Sequence, residues 1–227
     1  SKMTDNLKFY NRELGLILFN ERVLHQAKDK RIPLLERVKF LNIFHSNLDE
    51  LFMKRVGGLK RQYLAKLASY SIDGLTPEEQ LHIIHQRIIN LHNDVNKFLE
   101  TSFLPELEQQ NIFLLYWNDL TENEKKWATD YFKSKVFPIL TPMAVDQGHP
   151  FPLLANLSIS IAVSLKHPKE DESLFTSIKI PNVFPTWIQM PGDSLKKEFR
   201  FVSLVDIIIH HLQDLFPNMT ILNIMTF

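Results

Sequence analysis

Apolar positions recur at three- and four-residue steps through the first half of the chain, the spacing that gathers side chains on one helical face. From Asn11 the sequence runs N-R-E-L-G-L-I-L-F-N-E-R-V-L. Asn11 is a suitable N-cap for a helix burying Leu14, Leu18, Val23 and Leu24, with Phe19 close to the same side. Pro33 fits the first turn of a second helix, whose expected buried stripe is Leu34, Leu35, Val38, Leu41 and Phe44. A third helix is expected from F-H-S-N-L-D-E-L-F-M-K-R-V-G-G-L, Phe44 to Leu59. Its apolar face is Leu48, Leu51, Phe52, Val56, Leu59 and Tyr63. Asn47 stands just before that face and reads as its N-cap, with Glu50 completing a capping box and Leu48 opening the helix. Gly57 and Gly58 interrupt the pattern at about 1 kcal/mol each relative to alanine, so close approach of a neighbouring backbone is expected there. The three helices form a group ending near Ala68.

The periodicity breaks over Ser69 to Leu75 and restarts at Thr76-Pro77-Glu78-Glu79 as N-cap, first-turn proline and acidic turn. Leu81, Ile84, Ile88, Leu91, Val95, Phe98 and Leu99 then define a long helix ending at or shortly before Pro105. After an apolar run at Ile112 to Tyr116, Thr121 and Glu124 form another capping box, opening a helix through Trp127, Tyr131 and Phe132 towards Phe137. The stretch from Pro138 to Pro152 holds four prolines and reads as a stiff extended connector. Leu157 to Leu165 alternates apolar with small polar residues, the mark of a half-buried strand. Leu174 to Ile180, Phe199 to Leu204 and Thr220 to Phe227 are further strands, and Ser203 with Asp206 caps a helix bearing Val205, Ile208, Ile209 and Leu212. The expected class is α+β: a helical bundle over residues 1–110, then an α/β region over 111–227.

Composition narrows the possibilities. With 227 residues, 44% of them hydrophobic, the chain has core enough for one large or two small domains. No apolar run approaches a membrane span, and the polar start is unlike a secretory signal, so a cytosolic protein is expected. The absence of cysteine excludes disulfides, thiolate metal sites and cysteine nucleophiles. Lys plus Arg equals Asp plus Glu at 26 each, so no net field gathers a polyanion, and no nucleic-acid partner is expected.

Candidate chemistry is sparse. His82, His85 and His92 share one helical face at possible metal-ligand spacing, but no carboxylate completes a ligand set, and exposed histidines are the better reading. His149 in G-H-P-F-P reads as a turn residue, and His210 and His211 suit a helix C-terminus. Asp49 and Glu50 point about 100° apart, a poor joint magnesium ligand that first-turn capping explains more simply. Lys54, Arg55, Lys60 and Arg61 read as a solvated strip. No G-x-x-x-x-G-K-[ST] phosphate loop is present.

Three ordered groups of motifs carry a resemblance. They are N-R-E-L with F-N-x-R-V-L, then P-L-L-E-R-V-K-F-L with S-N-L-D-E-L-F-M-K-R-V-G-G-L, then I-L-T-P-M-A-V-D-Q-G-H-P-F-P followed by N-L-S. Together they resemble the N-terminal part of the long, histidine-phosphorylating polyphosphate kinases, and F-V-S-L-V-D-I-I-I-H-H-L-Q-D-L-F-P resembles the family's continuation. Gly15, Leu16 and Leu51 depart from the family's usual residues in ways that alter packing. The resemblance implies that residues 111–227 are a truncated α/β head domain. It also implies that the phosphorylated histidine, the phosphate-gripping arginines and the Mg²⁺ site lie outside this chain, leaving no catalytic residue and no metal ligand within it. Asn47, by resemblance, contacts the adenine of ATP. An amide suits that role because it offers a donor and an acceptor side by side. ATP, ADP and polyphosphate are the implied partners, with self-association as a dimer or tetramer. Peripheral membrane contact is left open. A rival reading is a non-catalytic dimerisation module on the same scaffold.

Overall fold

The computed structural model describes residues 11–66, 70–145, 158–169, 173–192 and 197–226. These fall into two compact units, one through Leu107 and one from Glu108 onward.

The first unit is helical. Helix α1 spans Arg12–Lys28, and the Asn11 carboxamide oxygen accepts from Leu14 N at 3.0 Å, so the expected cap forms. Ile17, Val23 and Leu24 are buried, whereas Phe19 is 49% exposed and sits off the core face. Helix α2 spans Leu34–Glu50, with Pro33 at the N-cap position rather than inside the first turn. Only part of its expected stripe is buried: Leu41 and Phe44 are inside, Leu35 is exposed, and Arg37 takes a core position instead.

The expected break before Leu48 does not occur. Helix α2 runs through Asn47, passes into a π-helical turn at Leu51–Val56 and continues as α3, Gly57–Leu64. Asn47 is therefore not an N-cap: its carbonyl accepts from Leu51 N as any interior helical carbonyl does. The local asparagine-to-glutamate signal is overridden because Leu41, Phe44, Leu48 and Leu51 are all buried, making one apolar face continuous across the supposed boundary. Of the rest of the expected face, Leu59 is buried, while Phe52 within the wide turn and Tyr63 beyond it are exposed.

The glycines do not mark a close backbone approach either. A Cβ on Gly58 would meet nothing within 4 Å, and one on Gly57 would lie 3.7 Å from the Phe52 carbonyl, an ordinary contact. Nothing in the structure explains glycine at position 58.

Helix α4, Pro77–Phe98, opens on the expected capping box of Thr76 and Glu79. A second π-helical turn, Leu99–Phe103, leads into α5, Leu104–Gln109, so the chain keeps winding through Pro105. The wide turn just before the proline relieves the clash that would end a regular α-helix. Helix α1 packs along α2 and α4, and α3 along α4. Arg37, 2% exposed, ties this bundle together: Nε donates to the Ala27 carbonyl at 2.7 Å and Nη1 to Glu106 Oε2 at 2.5 Å. Its guanidinium lies 5.9 Å and 5.5 Å from the ring centroids of Phe98 and Phe103.

The second unit combines two sheets with helices. Strand β1, Ile112–Leu115, pairs in parallel with β6, Phe199–Ser203, which pairs antiparallel with β5, Trp187–Gln189. The other sheet is antiparallel, in the order β2 (Pro142–Val145), β4 (Ser173–Lys179), β3 (Ser160–Lys166), β7 (Thr220–Thr226). The proline-rich connector thus contributes an edge strand, with Pro142 in the first position, where a missing N–H is tolerated. Residues 146–152 of the connector, with His149, lie outside the described residues.

Strand β3 is not half-buried, because β4 and β7 flank it and small Ser160 and Ala162 let its second face be covered as well. Helix α6, Glu122–Tyr131, opens on the Thr121 and Glu124 capping box and ends in a third π-helical turn, Phe132–Val136. Helices α7, Leu204–His210, and α8, Leu212–Leu215, pack Ile207, Ile208 and Leu212 against Phe132, Val163 and Val202. Helices and two sheets with largely antiparallel pairing make the chain α+β.

Candidate functional site

In the helical unit, α1, the end of α2 and the π-helical turn enclose a cleft of about 180 Å³. The chemistry of its lining is divided. Leu16 and Phe19 present exposed apolar surface, Leu48 and Leu51 close the base, and Arg12, Lys54 and Arg55 bring three cations against one carboxylate, Glu50. Lys54 donates to Glu50 at 2.7 Å, and that bond holds the Glu50 carboxyl below its ordinary value.

Asn20 and Asn47 meet at this cleft. Position 20 of α1 faces inward with Ile17 and Leu24, whereas position 47 is only half-buried. Asn20 Nδ2 donates to the Phe44 carbonyl at 2.9 Å, and Asn47 Nδ2 donates to Asn20 Oδ1 at 3.1 Å. Among the described residues nothing donates to Asn47 Oδ1, so one acceptor and one further N–H of that amide remain for a ligand. Two of the three cations, Lys54 and Arg55, come from a strip that reads as solvated in sequence. The wide turn places Lys54 and Arg55 beside the cleft, while Lys60 and Arg61 do not line it. Position alone gave no hint of Arg12, Phe19 or Asn20, because their convergence depends on how α1 lies against α2.

The other candidates are not brought to this cleft. His45 lies edge-on to Phe44 with centroids 5.3 Å apart and does not line the cleft. His82, His85 and His92 are exposed on α4. Asp49 and Glu50 are interior helical residues rather than a first turn, so their capping role lapses with the boundary. In the second unit, His211 is buried. Its Nδ1 lies 2.7 Å from the Ile207 carbonyl, which can only accept, so Nδ1 donates there, and Nε2 lies 3.0 Å from the Thr129 hydroxyl. It stacks on Phe132 at 4.6 Å and serves packing. Among the described residues no group of three or more His, Asp or Glu side chains is placed to hold a metal ion. No described helix is long and apolar enough to cross a membrane.

Comparison with known proteins gives these features a family. Residues 9–115 match the polyphosphate kinase N-terminal domain and residues 123–227 the polyphosphate kinase middle domain. The chain belongs to the polyphosphate kinase family. It is 40% identical over 221 residues to the polyphosphate kinase of Thermosynechococcus vestitus, covering 96% of this chain and 30% of that protein. It is 40% identical over 223 residues to that of Mycobacterium tuberculosis, covering 94% and 30%. The crystal structure of polyphosphate kinase from Porphyromonas gingivalis superposes with a TM-score of 0.81 at 25% identity, over 96% of this chain and 32% of that one. The chain therefore spans about 30% of the length of these relatives.

Proposed function

We propose that this chain is the N-terminal and middle portion of an enzyme that reversibly transfers the terminal phosphate of ATP to polyphosphate, through a phosphohistidine carried outside these residues. Its own contribution is the wall against which the adenine rests. The observation that supports this is the Asn47 amide, held at the edge of a cleft with an apolar side and a cationic side. Oδ1 accepts from the exocyclic amine of adenine, and the free N–H donates to a ring nitrogen of the same edge. Leu16 and Phe19 cover the base, while Lys54, Arg55 and Arg12 draw the phosphates. In this reading Mg²⁺ and the reacting phosphorus belong to other parts of the enzyme.

Because the adenine lies away from the transferred group, its contacts stabilise ground and transition states alike, and their loss appears in KM. Asn47→Ala in the full-length enzyme is expected to raise the ATP KM about tenfold, the worth of one or two hydrogen bonds, while kcat stays within about twofold. An unchanged KM in initial-rate measurements refutes the assignment. The 227-residue chain alone is expected to form no labelled polyphosphate from ATP, and synthesis by it would place the reactive groups within these residues.

A further inference from the structure

We infer that Asn20 is a positioning residue that fixes which way the Asn47 amide faces, and so makes the cleft selective for adenine over guanine. The inference rests on the base-binding role of Asn47.

Three atoms in sequence set the direction. The Phe44 carbonyl can only accept, so the Asn20 atom 2.9 Å from it is the amide nitrogen. That leaves the Asn20 oxygen facing Asn47, and an oxygen of that kind also only accepts, so the Asn47 atom 3.1 Å away is its nitrogen. Asn20 is 2% exposed, so its side chain is held on both sides by protein groups. The Phe44 carbonyl belongs to the backbone of α2 and cannot turn. A direction that begins in a helix backbone is thus passed through one buried side chain to the amide at the cleft.

A free asparagine amide exchanges its oxygen and nitrogen by a half-turn and so suits two opposite donor and acceptor orders. Adenine offers an amine donor beside a ring acceptor, whereas guanine offers a carbonyl acceptor beside a ring N–H donor on its corresponding edge. With Asn47 held by Asn20, the amide keeps one order. The base cannot turn over to compensate, because Arg12, Lys54 and Arg55 draw its phosphates to the cationic side of the cleft. Guanine then sets acceptor against acceptor and donor against donor.

The substitutions that separate this role from simple packing are Asn20→Ala and Asn20→Asp. Alanine frees the Asn47 amide to turn over. Aspartate still presents an oxygen to the Asn47 nitrogen, and in its protonated form also donates to the Phe44 carbonyl, so the orientation survives. In the full-length enzyme, the preference for ATP over GTP, read as the ATP KM against the inhibition constant of GTP, is expected to fall about tenfold in Asn20→Ala, the scale of one bidentate base contact. It is expected to stay within about threefold in Asn20→Asp.

A packing role predicts the opposite ranking, since a carboxyl group in a buried site disturbs the fold more than alanine does. An undiminished preference in Asn20→Ala overturns the inference, as does an equal loss in Asn20→Asp of a protein whose circular dichroism is native. Should Asn20→Ala fail to fold, a loss of preference beyond about threefold in natively folded Asn20→Asp still overturns the inference. Asn47→Ala, measured alongside, keeps the two readings apart. If it leaves ATP binding unchanged, the base-binding assignment falls and takes this inference with it; if it weakens ATP while Asn20→Ala keeps the preference, only the inference falls.

Discussion

Arg37→Met tests how the helical unit is held together. The substitution removes a buried guanidinium that donates to Glu106 at 2.5 Å and to the Ala27 carbonyl at 2.7 Å. Deleting one partner of a buried ion pair costs about 3–5 kcal/mol, chiefly because the other charge is stranded. Several observations lower that figure here. Glu106 keeps 22% of its side-chain surface exposed and has Lys30 at 3.3 Å as a second cation. Arg37 Nη2 is buried without a hydrogen-bond partner, a burden that methionine removes. The methionine also retains apolar contact with Phe98 and Phe103. The expected loss is about 2–3 kcal/mol, equivalent to roughly 10–20 °C in the melting temperature of a unit near 100 residues.

The assay is urea denaturation followed by circular dichroism at 222 nm, read beside tryptophan fluorescence. Trp117, Trp127 and Trp187 all belong to the second unit, so the fluorescence distinguishes where stability is lost. The same pair gives a pH dependence. The hydrogen bond from Arg37 holds the Glu106 carboxyl below its ordinary value of 4.5, against the opposing effect of burial and with help from Lys30. A depressed folded value means that the contribution is whole above 4.5 and is lost as pH falls through the folded value. The stability gap between wild type and Arg37→Met should therefore narrow on acidification below that point. A loss under about 1 kcal/mol at neutral pH, or a gap that widens in acid, refutes this account of the pair.

Two other substitutions test the helix assignments. Thr76→Ala removes the hydroxyl that accepts from Glu79 N at 3.2 Å and should cost about 1 kcal/mol in the circular dichroism transition; no change would mean that the capping box does not bear on stability. Gly58→Ala places a Cβ in open space inside a continuous helix and should raise stability by about 0.5–1 kcal/mol, whereas destabilisation would show that α3 is not wound as described.

How much of the fold was legible depended on the range of the interaction. The boxes at Thr76 and Thr121 and the cap at Asn11 were readable because donor and acceptor sit three residues apart in the chain. Strands β3, β4, β6 and β7 were readable from alternation and β-branched residues. Short β5 was not, since three residues carry too little periodicity to register. The apolar run at Ile112 could be seen, but its parallel partner Phe199 lies far along the chain. The supposed boundary at Asn47 failed for the same reason: a cap signal worth about 1 kcal/mol cannot interrupt a helix whose buried face continues through it.

For the site, the motif S-N-L-D-E singled out Asn47, and F-N-x-R-V-L contained Asn20 without giving it a task. The sequence by itself determined the helix starts at Asn11, Thr76 and Thr121, the α+β class and the family, because each rests on neighbouring residues or on motif order. Only the tertiary structure decided that Asn20 and Asn47, 27 positions apart, would form a directed hydrogen-bonded pair beside Phe19 and Arg55. Hydrogen-bond direction and cleft lining are set by how α1 lies along α2, and no local pattern encodes that distance.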